Sequence, residues 1–221
     1  MAQITGTPTT TSTTARSHTA FAGQRHLGAS INLWHVAAAG AALVASFWAL
    51  VTDAVPALRA LAADQAYFNG GNPLLFGQRR GGYALDTARE HLAALGGAAS
   101  SYYADTYIAL YDLAFPVLLL VFGLAVILYA TNAAHAHVLD VSPAVQRLML
   151  AVPVALFVFM MCENLFVYTM LEMAPKLNDK VVETASMFTQ LKWLAGFIEG
   201  LLLTGLIVFT VHSHVEASGK A

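Results

Sequence analysis

Three ionisable residues lie deep inside hydrophobic stretches: Asp112 in YDLAFPVLLLVFGLAV, Glu163 in FVFMMCENLFVYTML and Lys192 in TQLKWLAGFIEGLLLTGLIVF. A charge at a bilayer centre costs about 2.5–3.5 kcal/mol on insertion scales, so such residues persist where they pair, face a bundle interior or do chemistry. Two carboxyl groups and one ammonium do not balance at unit charge. A surplus carboxyl in low dielectric can exchange a proton, act as a general acid or base, or hold a cation or the polar head of a lipid. Glu199 lies two turns beyond Lys192 on nearly the same helical face, and Asn164, Tyr111, Tyr168 and Gln190 bring hydrogen-bonding groups to the same region. The candidate polar cluster is therefore Asp112, Glu163, Asn164, Lys192, Glu199, Tyr111 and Tyr168, with Asp112, Glu163 and Lys192 as the catalytic candidates if there is turnover.

The elements that must position these groups are membrane-spanning helices. Of 221 residues 57% are hydrophobic and 11% charged, and the mean hydropathy is +0.61; a soluble domain is less apolar and more charged. Four stretches, near 28–52, 104–131, 147–171 and 185–211, each exceed the roughly 20 residues needed to cross a core of about 30 Å. The fold class read from this is an all-α, four-span helical bundle. Counting about 1.5 Å per residue from the loop side, Asp112, Glu163 and Lys192 share one depth in the same half of the membrane. Gly40, Ala41 and Ala45 mark a close-contact stripe in the first span, and Gly196 with Gly200 forms a GxxxG pattern on the Lys192 stripe. Pro116 removes the helical hydrogen bond to the Asp112 carbonyl and bends the second span beside the charge; Pro153 does the same early in the third. Tyr102, Tyr103 and Tyr107 suit a headgroup belt.

Outside the spans the chain is uneven. Residues 1–27 are Ser/Thr-rich with Arg16 and Arg25 and no acidic residue, which reads as a disordered tail, with a mitochondrial transit segment as the alternative. Residues 53–103 read as an extramembrane helical hairpin: a helix starting near Asp53 and Pro56, a turn at Asn69-Gly-Gly-Asn-Pro73, and an amphipathic helix with Leu85, Ala88, Leu92 and Leu95 on one face that stops at Gly96-Gly97. Residues 212–221 form a short polar tail. An even number of spans puts both termini on one side, and Arg16, Arg25, Arg147 and Lys220 place that side in the cytoplasm, or in the matrix if the chain is imported.

His135 with His137 and His212 with His214 end the second and fourth spans on one side, so four imidazoles are weak candidates for zinc or copper. Residues two apart diverge by about 200° on a helix, so each pair needs a non-helical end to chelate, and helix-end imidazoles already suit the negative end of the dipole. His35, inside the first span, lacks a clear second ligand for haem. No cofactor is expected: the sequence has no nucleophile elbow, phosphate loop, dinucleotide fingerprint, HExxH or CxxC. The basic residues are scattered, which argues against nucleic acid as a partner. The single Cys162 excludes an internal disulfide and suits a packed membrane thiol.

The run Asp112-Leu-Ala-Phe115-Pro116, the pair Glu163-Asn164 and Lys192 in the last span resemble the pattern of a functionally uncharacterised family of small four-span membrane proteins of bacteria and microbial eukaryotes. The resemblance covers roughly Tyr83 to Gly200 and implies a shared bundle and polar cluster; it carries over no catalytic role. The function expected is that of a non-catalytic lipid-binding or accessory membrane protein. Its partners would be membrane lipids and other membrane subunits or further copies of the chain. A membrane enzyme acting on a lipid or sterol, with Asp112 or Glu163 as acid or base and Lys192 stabilising charge, is the alternative. A proton-coupled carrier or channel extended by Glu199 is the second alternative.

Overall fold

A computed structural model describes residues 31–136 and 141–218, so the Ser/Thr-rich segment lies outside the described residues. Those residues contain helices and loops and no strand. Four helices are long and apolar enough to cross a membrane: Leu33–Leu61, Leu85–Ala134, Pro143–Met173 and Asp179–Ser213.

Helix α1, Leu33–Leu61, begins at a capping box. The Asn32 side chain accepts from the Trp34 and His35 backbone N–H groups at 3.1 and 3.4 Å, while the Asn32 N–H donates to His35 Nδ1 at 3.2 Å. His35 is thus an exposed first-turn residue that completes the capping box, at the start of the span and not deep inside it, which corrects the expectation. The expected break at Asp53–Pro56 is absent as well. A π turn at Leu50–Ala54, closed by the Val55 N–H on the Leu50 carbonyl, widens the helix just before Pro56 and makes room for its ring. The inward stripe of α1 runs through Val36, Gly40 and Leu43, whereas Ala41 and Ala45 are exposed. At Gly40 a Cβ would lie 3.2 Å from the Phe122 ring, so the glycine sets the closeness of α1 to the second span.

The hairpin contains α2, Gln65–Asn69, and a 3-10 turn, Phe76–Gln78. Helix α3, Leu85–Tyr102, buries Ala88, His91, Leu92 and Leu95. The stop expected at Gly96-Gly97 is a kink: Gly96 adopts φ 70°, ψ 175°, and the helix resumes beyond it. The carbonyls freed there are taken up by the backbone of the preceding loop, with the Ala63 N–H on Leu95 O at 3.0 Å and the Asp64 N–H on Ala94 O at 2.9 Å. A nine-residue π stretch, Tyr103–Tyr111, leads into α4, Asp112–Ala136.

Helix α5, Pro143–Met173, is capped by Ser142, and α6, Asp179–Ser218, runs on through the segment expected as a polar tail. The most extensive packing is between α5 and α6; α4 packs on both, and α1 packs mainly on α4. A large apolar core joins the hairpin to the upper ends of the spans through Leu58, Phe68, Phe76, Leu95, Met170 and Val182. A smaller one, Val126, Ile127 and Leu203, closes the opposite end. Leu148, Leu165, Phe197 and Leu201 point outward and are exposed, as they must where the solvent is lipid. The GxxxG expectation holds in half. The α6 packing stripe follows Thr189, Ala195, Glu199 and Leu203, so Gly196 borders the interior while Gly200 is exposed, with open space where its Cβ would be.

Candidate binding site

The polar groups are assembled by two interruptions of the second span, a proline and a π stretch. Pro116 has no N–H to give the Asp112 carbonyl; that carbonyl instead accepts from Asn164 Nδ2 of α5 at 2.8 Å. One proline in α4 therefore specifies an amide opposite it in α5. The π stretch acts on direction. At roughly 100° per residue an α-helix would turn Asp112 to the face opposite Tyr103, nine positions earlier. A π turn is about one residue wider, which carries Tyr103, Tyr107 and Asp112 round to one face. All three line a single cavity of about 340 Å³.

Around that cavity stand Glu163, Asn164 and Lys192 at one end, and Phe47, Leu50, Phe115, Leu119, Leu156 and Met160 along the rest. Lys192 Nζ pairs with Glu163 Oε2. Thr189 Oγ1 donates to Glu163 Oε1 at 2.5 Å, so both carboxylate oxygens are satisfied by α6. The glutamate side chain is 3% exposed and the lysine 16%. A buried pair held this well still gains little over an apolar replacement, but losing one partner costs about 3–5 kcal/mol.

The hairpin covers the pair. A Cβ at Gly77 would lie 2.6 Å from Lys192 Nζ and 3.3 Å from Glu163 Oε1, so a side chain there would displace the ammonium that this backbone closes over. The segment is clipped to α6 by Trp193 Nε1 donating to Gly77 O at 3.0 Å, by the Arg80 guanidinium 4.6 Å above the Trp193 ring, and by the Tyr83 N–H donating to Ser186 Oγ at 2.8 Å. Burial first, and the Glu163 carboxylate second, push the Tyr83 hydroxyl well above the usual phenol range. Its oxygen has no hydrogen-bond partner among the described residues.

Asp112 borders the same cavity, and its carboxylate forms no ion pair or hydrogen bond with a described residue. Of the two carboxyls expected at the depth of Lys192, Glu163 is the one that pairs with it. Of the other expected members, Tyr111 packs into the hairpin-side core, Tyr168 is 39% exposed, and neither lines the cavity. Gln190 lies beside Gly82 of the hairpin. Tyr103 and Tyr107, expected in a headgroup belt, are buried at 3% and 2% exposure, because the π stretch turns them inward.

Glu199 sits outside the cavity. Leu119, Leu156 and Gly196 border the cavity; Gly123, Pro153 and Glu199 each follow one helical turn farther from the hairpin on α4, α5 and α6. Glu199 is 2% exposed, neither oxygen has a hydrogen-bond partner among the described residues, and a Cβ at Gly123 would collide with it. Farther along, Gln146 Nε2 donates to Thr131 Oγ1 at 2.9 Å.

His137 and the side chains of His135 and His214 lie outside the described residues. His212 belongs to the regular helix α6. Among the described residues no group of three or more His, Cys, Asp or Glu is placed to hold a metal ion.

Four apolar helices around an internal polar cluster define a multi-pass helical membrane protein. No protein-family model matches the chain, and no curated protein or solved structure matches it either.

Proposed function

We propose that the bundle binds a lipid-like amphiphile, with the polar group at Asp112 and Asn164 and the hydrocarbon against Phe115, Leu119, Leu156 and Met160. The observation that carries this reading is the unpaired Asp112 carboxylate at the polar end of an otherwise apolar cavity. Small-molecule sites have this character: mostly apolar walls and a few placed polar groups. A π segment and a proline kink at the same residue support it, since helical irregularities of this kind concentrate at functional sites.

The cavity wall includes Phe47 of α1 and Trp193 of α6, which are 53% and 37% exposed on the outer surface. A tail would enter from the bilayer between them, while the Gly77 turn closes the site towards the hairpin. On this reading the cluster joins two tasks. Glu163, Lys192 and Thr189 fasten α5 to α6, and Asp112 meets the ligand. The family resemblance carried by Asp112, Phe115, Pro116, Glu163, Asn164 and Lys192 then reflects a shared pocket, and the termini share the cytoplasmic side.

The test is native mass spectrometry of the protein extracted gently from its own membrane. A retained amphiphile that is lost in Gly196→Leu, which fills the cavity floor, is the expected result. Protein that carries no amphiphile in either form would overturn the reading.

A further inference from the structure

The binding reading deepens when each polar group at the cavity is assigned its partner. Glu163 has both oxygens occupied, by Lys192 and Thr189. Lys192 is committed to Glu163 and lies beneath the Gly77 backbone. Asn164 has given one N–H to the Asp112 carbonyl. What stays open to a ligand is the Asp112 carboxylate, the only charged group there without a partner; the neutral groups lining the same cavity are the rest of the Asn164 amide, Gln78, and Tyr103 and Tyr107, whose rings meet edge to face at 5.2 Å. Glu163 and Lys192 cancel, so the lining is one carboxylate in excess. Aromatic rings beside a carboxylate attract cations and not anions.

The geometry points to an amphiphile with a single cationic amine head, a long-chain or sphingoid-type amine, whose ammonium sits on Asp112 between the two tyrosines. This rests on the proposed binding function and adds the class of head group. An ammonium donates to Asp112 and to phenol oxygens and neutralises the excess charge. A fatty acid or phosphate head would face Asp112 with no uncommitted cation to meet it. An alcohol can donate one hydrogen bond but leaves the charge standing. A charged hydrogen bond in a desolvated site is worth roughly tenfold or more in affinity over a neutral one.

The experiment compares dodecylamine, dodecanol and dodecanoic acid, in direct competition at equal concentration, for the full-length protein in a non-ionic detergent, read by native mass spectrometry. The expected result is a preference of about tenfold or more for the amine over both others. Asp112→Asn should bring that preference close to unity, and Gly196→Leu should abolish binding of all three. The wild-type selectivity needs no variant, so it decides even if Asp112→Asn folds poorly. Equal binding of the three compounds, all lost in Gly196→Leu, would overturn the amine assignment and leave the binding function standing. Preference for the acid would overturn the assignment too. Failure of every compound, together with protein that leaves its own membrane with nothing bound, would overturn both.

Discussion

The Glu163–Lys192 pair predicts an energetic coupling that can be measured. Lys192→Met leaves a carboxylate that is 3% exposed with one remaining donor, the Thr189 hydroxyl. Removing one partner of such a buried pair costs about 3–5 kcal/mol. Glu163→Leu is expected to be milder, about 1–3 kcal/mol, because the ammonium borders the cavity that also holds Asp112 and can turn to it. In the double variant neither member of the pair is left without the other, and Asp112 remains the single carboxylate in excess that it is in the native protein. The Thr189 hydroxyl keeps an acceptor there, since with Glu163 gone its proton can turn to the Ala185 carbonyl 3.1 Å away. The double variant should thus lose no more than Lys192→Met alone, so the coupling is at least as large as the Glu163→Leu loss, about 1–3 kcal/mol. Reversible unfolding in mixed micelles, titrated with a denaturing detergent and followed by circular dichroism, gives all four stabilities. If the two single losses add to within about 0.5 kcal/mol, the pair has no mutual energy and the account of the cluster is wrong.

Three further outcomes follow from the same contacts. Asn164→Leu should cost about 1–3 kcal/mol by stranding the Asp112 carbonyl; adding Pro116→Ala, which returns a backbone N–H to that carbonyl, should recover part of the loss in the same unfolding titration. Gly123→Ala places a methyl group against Glu199 and 3.0 Å from the Pro153 Cβ, so it should cost about 1–3 kcal/mol by overpacking; Glu199→Ala in the same chain should relieve it, and additive losses would count against the contact. Tyr83 has its hydroxyl pushed up in the folded state, so its contribution is complete below the ordinary phenol value near pH ~10 and declines as the pH rises past it, when the unfolded chain alone ionises. Tyr83→Phe should accordingly flatten the alkaline loss of stability by up to about 1.4 kcal/mol per pH unit, and an unchanged slope would show that the hydroxyl ionises freely in the fold.

What could be read in the sequence divides along a physical line. Asp112, Glu163 and Lys192 stand out because a charge in an apolar run is costly, and the constant rise of a helix puts them at one depth. Depth does not give direction around the axis. Tyr111 and Tyr168 were expected in the cluster on depth alone, and they face elsewhere. Tyr103 and Tyr107 were missed because regular α geometry fails across Tyr103–Tyr111; the signal available was the spacing of four residues from Tyr103 to Tyr107 and five from Tyr107 to Asp112, just before Pro116. The hydrogen bond from Thr189 and the cover provided by Gly77 come from tertiary packing of segments far apart in the chain, and nothing local announces them. Pro116 is the opposite case, because a missing N–H is a local fact and its carbonyl had to find another donor.

The cavity draws its outer walls from Phe47 and Leu50 of α1 and from Trp193 and Gly196 of α6, the earliest and the latest of the four spans to be synthesised. During translation α1 can dock on α4, but the wall opposite it does not exist until α6 has left the ribosome and entered the bilayer. A nascent chain therefore has no enclosed cavity, and the compartment is complete only once α6 is packed in place. Glu163 shares this timing, because both of its partners, Thr189 and Lys192, are carried by α6, so its carboxylate stays unpaired until the last span is in place.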